Sequence, residues 1–95
     1  MNKPKIEVNF NEYIGENLIL LSQNDVIEDI NGNKIYLKEG LEITIFEPNY
    51  ENEIKDDLIA NGYVTKCNKE LYKQTKWCCK MDKNGIKNES EIFNT

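Results

Sequence analysis

The chain has 95 residues, of which 17 are acidic and 12 basic, so its formal net charge is −5, and it contains no histidine. All the basic residues are lysine, whereas arginine supplies the bidentate clamps for carboxylates and phosphates, and histidine supplies most acid–base catalysis near neutral pH. The composition therefore excludes serine–histidine and cysteine–histidine catalysis and histidine-containing metal sites. A chain of this length predicts one domain, residues 1–95.

The N-terminal part of the chain has the two-residue period of a β-strand. Ile6, Val8 and Phe10 alternate with polar residues, which predicts a strand with one face in water. After a turn over residues 13–17, the run Leu18–Leu21 is apolar on both faces and predicts a central strand. No apolar run is long enough for a membrane helix, and the N-terminus lacks the pattern of a signal peptide, so we expect a cytoplasmic protein.

The dipeptide Asn31-Gly32 separates two short segments, residues 26–30 and 34–38, that are predicted to be strands. Asn-Gly favours a two-residue hairpin loop because both residues accept positive φ. With such a loop, each residue of the first strand pairs with the residue of the second strand for which the two residue numbers sum to 63. The predicted pairs are Asp29 with Lys34, Asp25 with Lys38, and Val26 with Leu37.

The middle of the chain begins with its clearest strand, Leu41–Glu47, which follows a turn at Glu39-Gly40. The next segment is ambiguous, because Asn49 has the side chain of a helix cap but two aspartates would lie near the negative end of that helix. We expect an acidic loop, with at most one short helical turn around residues 50–60. A strand broken near Asn61-Gly62 is expected to follow.

The C-terminal third is predicted to contain a polar connection, Lys69–Lys73, and then a strand that includes Trp77. A second Asn-Gly, at positions 84 and 85, predicts another hairpin. A two-residue loop would pair Asp82 with Lys87, Lys80 with Glu89, and Trp77 with Ile92. A three-residue loop with a bulge at Gly85 would shift that register by one residue. The first register is preferred because it matches opposite charges.

Six or seven short strands joined by tight turns predict an all-β fold, and we expect a small, strongly bent antiparallel barrel of the SH3-like kind. Cys67, Cys78 and Cys79 do not match a zinc site, since two are adjacent and no histidine completes the set. A disulfide from Cys67 to one of the pair requires neighbouring strands, and a cytoplasmic location disfavours it. We therefore expect three thiols that are buried or have no functional role.

The acidic residues are concentrated in the middle of the chain, where residues 25–57 contain ten acids and three lysines, giving −7. The densest cluster predicts a contact surface for a basic protein partner, because opposite charges steer association. Its members are Glu47, Glu51, Glu53, Asp56 and Asp57. We expect a non-enzymatic domain without cofactor or metal that acts through protein–protein contacts, a composition shared with small acidic antitoxin and immunity proteins.

The second hypothesis is nucleic-acid binding, because seven lysines between Lys66 and Lys87 are interleaved with Tyr72 and Trp77. The acidic net charge and the absence of arginine weigh against it, and Trp77 is expected to anchor the core. A third hypothesis is that an exposed strand edge supports an oligomer. The sequence leaves the oligomeric state open.

Overall fold

A computed structural model describes residues 3–68, 70 and 74–93, and these residues are predominantly β, with one short α-helix. In chain order the elements are β1 (Lys5–Glu7), a 3-10 turn (Phe10–Glu12), β2 (Tyr13–Gly15), β3 (Leu18–Ser22), β4 (Val26–Glu28), β5 (Lys34–Tyr36), β6 (Glu42–Glu47), β7 (Tyr50–Glu51), β8 (Ile54–Lys55), β9 (Leu58–Lys66), β10 (Trp77–Met81), β11 (Lys87–Asn88) and α1 (Glu89–Phe93). The all-β prediction is confirmed.

Seven of these strands form one mixed sheet, in the order β1-β6-β9-β10-β3-β2, with β11 pairing to β9 beside this path. The β1–β6 pair is parallel and the others are antiparallel. Within the described residues no pairing joins β1 to β2, so no closed barrel is found there. The purely antiparallel arrangement is wrong, and the SH3-like barrel stays a prediction.

One face of this sheet forms the hydrophobic core. Register places Ile45 beside Ala60, and Cys79 between Val64 and Ile19, so alternate residues of four strands meet on the same side. All five are nearly or completely buried. The strand predicted over Leu41–Glu47 is confirmed as β6, and the predicted central run is confirmed as β3, which lies between β10 and β2.

The first predicted strand is shorter than its alternation indicated. β1 ends at Glu7, and Phe10 begins the 3-10 turn. The side chain of Asn9 caps that turn by accepting a hydrogen bond from the backbone N–H of Asn11 at 2.9 Å. A local side-chain contact of this kind competes with continued strand pairing.

The β4–β5 hairpin forms, but its predicted register is wrong by one residue. Glu28, not Asp29, lies opposite Lys34, because the loop has three residues and ends at Gly32 with φ of 81°. The Asp29 carboxylate accepts the backbone N–H groups of Asn31 and Asn33, each at 2.9 Å. Asp29 therefore closes the loop and does not pair with a lysine.

The shifted register also overturns the other two predicted pairs. Val26 lies opposite Tyr36, and Leu37 is buried in the core. Asp25 lies 2.7 Å from the Nζ of Lys76, not beside Lys38. A one-residue slip sends every side chain of a strand to the other face, which is why all the predicted pairs fail together.

The segment predicted as loop or helical turn is a second hairpin, formed by β7 and β8. Its two-residue turn, Asn52-Glu53, has φ of 53° and 69°, as a type I′ turn requires. Asn49 does not cap a helix; its carbonyl accepts the N–H of Asp56 at 2.8 Å and closes the hairpin. Residues 50–60 therefore contain no helical turn.

β9 runs without a break through Asn61-Gly62, so the predicted interruption is also wrong. A Cβ added to Gly62 would overlap the carbonyl oxygen of Lys80 and would lie 3.0 Å from the Sγ of Cys79. The glycine therefore marks a close approach of β9 to β10, not the end of a strand.

No hairpin forms at Asn84-Gly85, and both predicted registers are wrong. β10 already pairs with β9 on one edge and with β3 on the other, so no edge is free for the residues that follow. The chain instead turns at Gly85, whose N–H donates to the carbonyl of Asp82 at 3.1 Å, and β11 returns to β9. Most of the predicted connection Lys69–Lys73 lies outside the described residues.

Candidate functional site

The β7–β8 hairpin, residues 50–55, carries the exposed part of the predicted acidic cluster and is called the acidic hairpin below. Tyr50 is opposite Lys55, and Glu51 is opposite Ile54. The side chains of Tyr50 and Ile54 are 65% and 70% exposed, the highest values for large apolar residues of the described chain apart from Tyr36. The hairpin thus presents apolar and acidic groups together to solvent.

The base of the acidic hairpin is held by hydrogen bonds and one ion pair. The Asn49 side chain donates to the carbonyl of Asp56 at 3.2 Å, in addition to the backbone bond between these two residues. The Nζ of Lys55 lies 3.4 Å from the carboxylate of Asp57, which is only 4% exposed. A buried carboxylate needs such partners, so Asp57 has a structural role.

Asp56 connects the hairpin to α1. Its carboxylate accepts hydrogen bonds from the backbone N–H and the hydroxyl of Ser90, both at 2.8 Å. These bonds favour the charged form and hold the pKa of Asp56 below its usual range. The N–H of Glu89 donates to the carbonyl of Asp57 at 2.7 Å, so the start of the helix is fixed against the hairpin.

Docking of α1 brings a further acid, Glu89, next to the acidic hairpin. Glu89 was predicted opposite Lys80, but it lines a shallow depression of about 230 Å³ together with Ile54 and Ser90. Ile54 is thus flanked by Glu51 across the hairpin and by Glu89 from the helix. The local pattern carried no signal for this contact, because it joins segments far apart in the chain.

The five predicted site residues do not form one exposed surface. Glu47 accepts the backbone N–H of Phe10 at 3.0 Å, and Asp56 and Asp57 have the structural contacts given above. Glu51 and Glu53 are exposed, and within the described residues their carboxylates have no hydrogen bond or ion pair. Of the five, only Glu51 and Glu53 can therefore contact a partner without loss of an internal contact in the described chain.

Two lysines of the lysine-rich segment, Lys76 and Lys80, and Trp77 have side-chain partners within the described residues. Trp77 is 6% exposed, as expected for a core anchor, and its Nε1–H donates to Asp25 at 2.9 Å. The pKa of Asp25 is lowered by its bonds to Lys76 and to Trp77. Lys80 donates to the backbone carbonyl of Glu16. These contacts leave Trp77 unable to stack on a base; Tyr72 lies outside the described residues.

Two of the three cysteines are joined. Cys67 and Cys78 form a disulfide with a Cα–Cα distance of 5.4 Å, so the expectation of three thiols is wrong. The bond forms because β9 and β10 are neighbours, the condition that the sequence left open. Cys79 is a buried thiol, and desolvation raises its pKa to about 12.

Comparisons with known proteins add no identity, since no family model, curated protein or solved structure matches the chain. In the described ranges no three Cys, Asp or Glu side chains are placed to hold a metal ion. None of the helices described there has the length and apolarity to cross a membrane.

Proposed function

We propose that this protein is a non-enzymatic binding domain that holds a basic protein partner through its acidic hairpin, in the manner of small antitoxin or immunity proteins. One observation carries the proposal: exposed Ile54 shares a face of the hairpin with Glu51, exposed Tyr50 lies on the other face, and the carboxylates of Glu51 and Glu53 have no internal partner in the described chain. An apolar anchor with polar groups around it at the solvent-accessible rim is the usual anatomy of a protein interface.

The two kinds of side chain would act at different stages of binding. Glu51, Glu53 and Glu89 contribute negative potential that attracts a basic surface and raises the association rate. Ile54 then enters an apolar pocket on the partner, and desolvation of this contact slows dissociation. The surface needs little ordering on binding, because the type I′ turn and the Asp56 contacts already hold it.

The scaffold of this surface is, in the same proposal, a strongly bent SH3-like barrel. The support is that the strands of the main sheet bury one common apolar face, with Ile6, Ile19 and Ile45 on different strands of it. A sheet that curves around such a face leaves the connecting hairpins in solvent.

The test compares two variants with the same change in net charge. Glu51→Lys with Glu53→Lys reverses the hairpin acids, whereas Glu7→Lys with Glu12→Lys reverses two exposed acids outside the hairpin. Tagged wild-type protein is first used to capture partners from an extract of the cells that make it. Asp56 and Asp57 are left unchanged, because their replacement would disturb the fold.

We expect the hairpin variant to lose a basic partner that the wild type and the matched variant retain. With that partner purified, the hairpin variant should associate about tenfold more slowly at low salt, the effect falling as salt is added. Equal association rates for the two variants would refute the proposal. Salt-sensitive binding of a single-stranded oligonucleotide by all three proteins would favour the nucleic-acid hypothesis instead.

A further inference from the structure

The Cys67–Cys78 bond lies at the end of the β9–β10 pair, next to the segment that connects these two strands. Cys67 directly follows β9, and its N–H donates to the carbonyl of Lys76 at 2.9 Å, one step beyond the Lys66–Trp77 pair. Cys78 is completely buried and Cys67 is 7% exposed. The disulfide is therefore enclosed by the fold and shielded from reductants in solution.

Cys79 is placed so that it cannot exchange with this bond. Adjacent strand residues point to opposite faces, and Cys79 packs in the core between Val64 and Ile19, whereas Cys78 faces the other side. Its thiol is completely buried and keeps its proton at neutral pH, while exchange requires a thiolate that reaches a sulfur of the disulfide. Cys78 is thus held in a disulfide, whereas the adjacent Cys79 is held as a protonated thiol.

We propose that the working form of this protein is the Cys67–Cys78 disulfide, made by thiol–disulfide exchange in an oxidising compartment while β10 docks against β9, with Cys79 excluded by the fold. This replaces the expectation of a cytoplasmic protein, because buried structural disulfides belong to compartments that contain thiol oxidants. The inference does not depend on the acidic hairpin.

The oxidation is a two-electron step with an external disulfide as the acceptor. A thiolate of the pair attacks the oxidant's disulfide, forming a mixed disulfide and releasing one oxidant thiol. The second thiolate of the pair attacks the protein sulfur of that mixed disulfide, which forms the Cys67–Cys78 bond and releases the other oxidant thiol. The protein loses two electrons and two protons, and the oxidant gains them; glutathione disulfide is a sufficient acceptor.

The first experiment measures the thiol state in the cells that make the protein. Acid quenching, alkylation in denaturant and peptide mapping without reductant should give a linked Cys67–Cys78 peptide and alkylation of Cys79 alone. Fractionation of the same cells should recover the chain outside the cytoplasm. Three alkylated cysteines, or recovery in the cytoplasmic fraction, would overturn the proposal.

The second experiment asks whether the fold selects the pair. Reduced wild-type protein is oxidised with glutathione disulfide, either during refolding or in denaturant. In denaturant, Cys67 should join Cys78 and Cys79 about equally, because the two loops differ by one residue. Refolding should give about a tenfold or greater excess of Cys67–Cys78, since bonding Cys79 would remove it from the core. The same product ratio in both conditions would overturn selection by the fold.

Discussion

Replacement of Gly62 by alanine tests how closely β9 and β10 approach each other. The new Cβ would overlap the carbonyl oxygen of Lys80, and it would lie 2.9 Å from the carbonyl carbon and 3.0 Å from the Sγ of Cys79. Carbon–carbon contacts are comfortable only near 3.5–4.0 Å, so the strands would have to separate by about 1 Å. A backbone carbonyl in a sheet cannot rotate away as a side chain can.

The expected cost is about 2 kcal/mol of unfolding free energy. Overpacking a core typically costs about 1–3 kcal/mol, and a clash with a backbone carbonyl lies at the upper end of that range. Alanine recovers about 0.5–1 kcal/mol by restricting the unfolded chain, which leaves about 2 kcal/mol. In a domain of this size, a loss of 2 kcal/mol lowers Tm by about 10 °C. Urea unfolding followed by the fluorescence of Trp77, the only tryptophan in the chain, measures the change directly.

Gly32→Asn is the matched control. Gly32 has φ of 81° with open space around it, so it is needed for its backbone angle alone, and asparagine accepts that angle. We expect this variant to lose less than about 1 kcal/mol of unfolding free energy. If Gly62→Ala is as stable as the wild type, β9 and β10 do not approach each other this closely. If both variants lose the same unfolding free energy, Gly62 is needed only for its backbone conformation.

Three further predictions concern stability. The double variant Cys67→Ser with Cys78→Ser should lose about 3 kcal/mol, because the bond closes a loop with a sequence separation of 11, and reductant should no longer affect its urea midpoint. Asp25→Asn removes the charge beside Trp77 and should lower Tm at neutral pH; an unchanged Tm and tryptophan emission would contradict the contact. Asp56 has a folded pKa below the ordinary 3.8, so its stabilisation is complete above that pH and is lost as pH falls through the folded value. Asp56→Asn should therefore be less stable than wild type at neutral pH, with a difference in Tm that narrows in acid; a constant difference would refute the linkage.

Strands whose signal is local were predictable from the sequence. Apolar and polar residues alternate from Leu41 to Ile45, Leu18–Leu21 is apolar throughout, and both segments are strands in the expected positions. The pairing of strands was not predictable, because a period of two does not say which strand is the neighbour. The failed hairpin at Asn84-Gly85 shows this: its turn signal was correct, but β10 had no free edge.

The candidate site was predictable in composition and not in geometry. The acidic residues are visible in the sequence, but the freedom of each carboxylate depends on a distant partner. The Glu47 carboxylate accepts a hydrogen bond from the backbone of Phe10, and that of Asp56 accepts one from Ser90. Glu89, on the C-terminal helix, lies beside Ile54 of the hairpin. The type I′ turn at Asn52-Glu53 was missed because glutamate rarely accepts positive φ.

The strand order has a consequence for synthesis of the protein. One edge of β3 pairs with its neighbour β2, but the other edge, where Ile19 pairs with Cys79, belongs to β10 near the far end of the chain. A nascent chain emerging from the ribosome exposes this apolar edge until β10 has been made. The β3–β10 pair must then wait for residues up to Met81, and its formation should be slow because it joins strands far apart in the chain. A ribosome stalled before Trp77 would hold a chain in which β6 can pair with β1 and β9, while the edge of β3 that belongs to β10 stays open to chaperones.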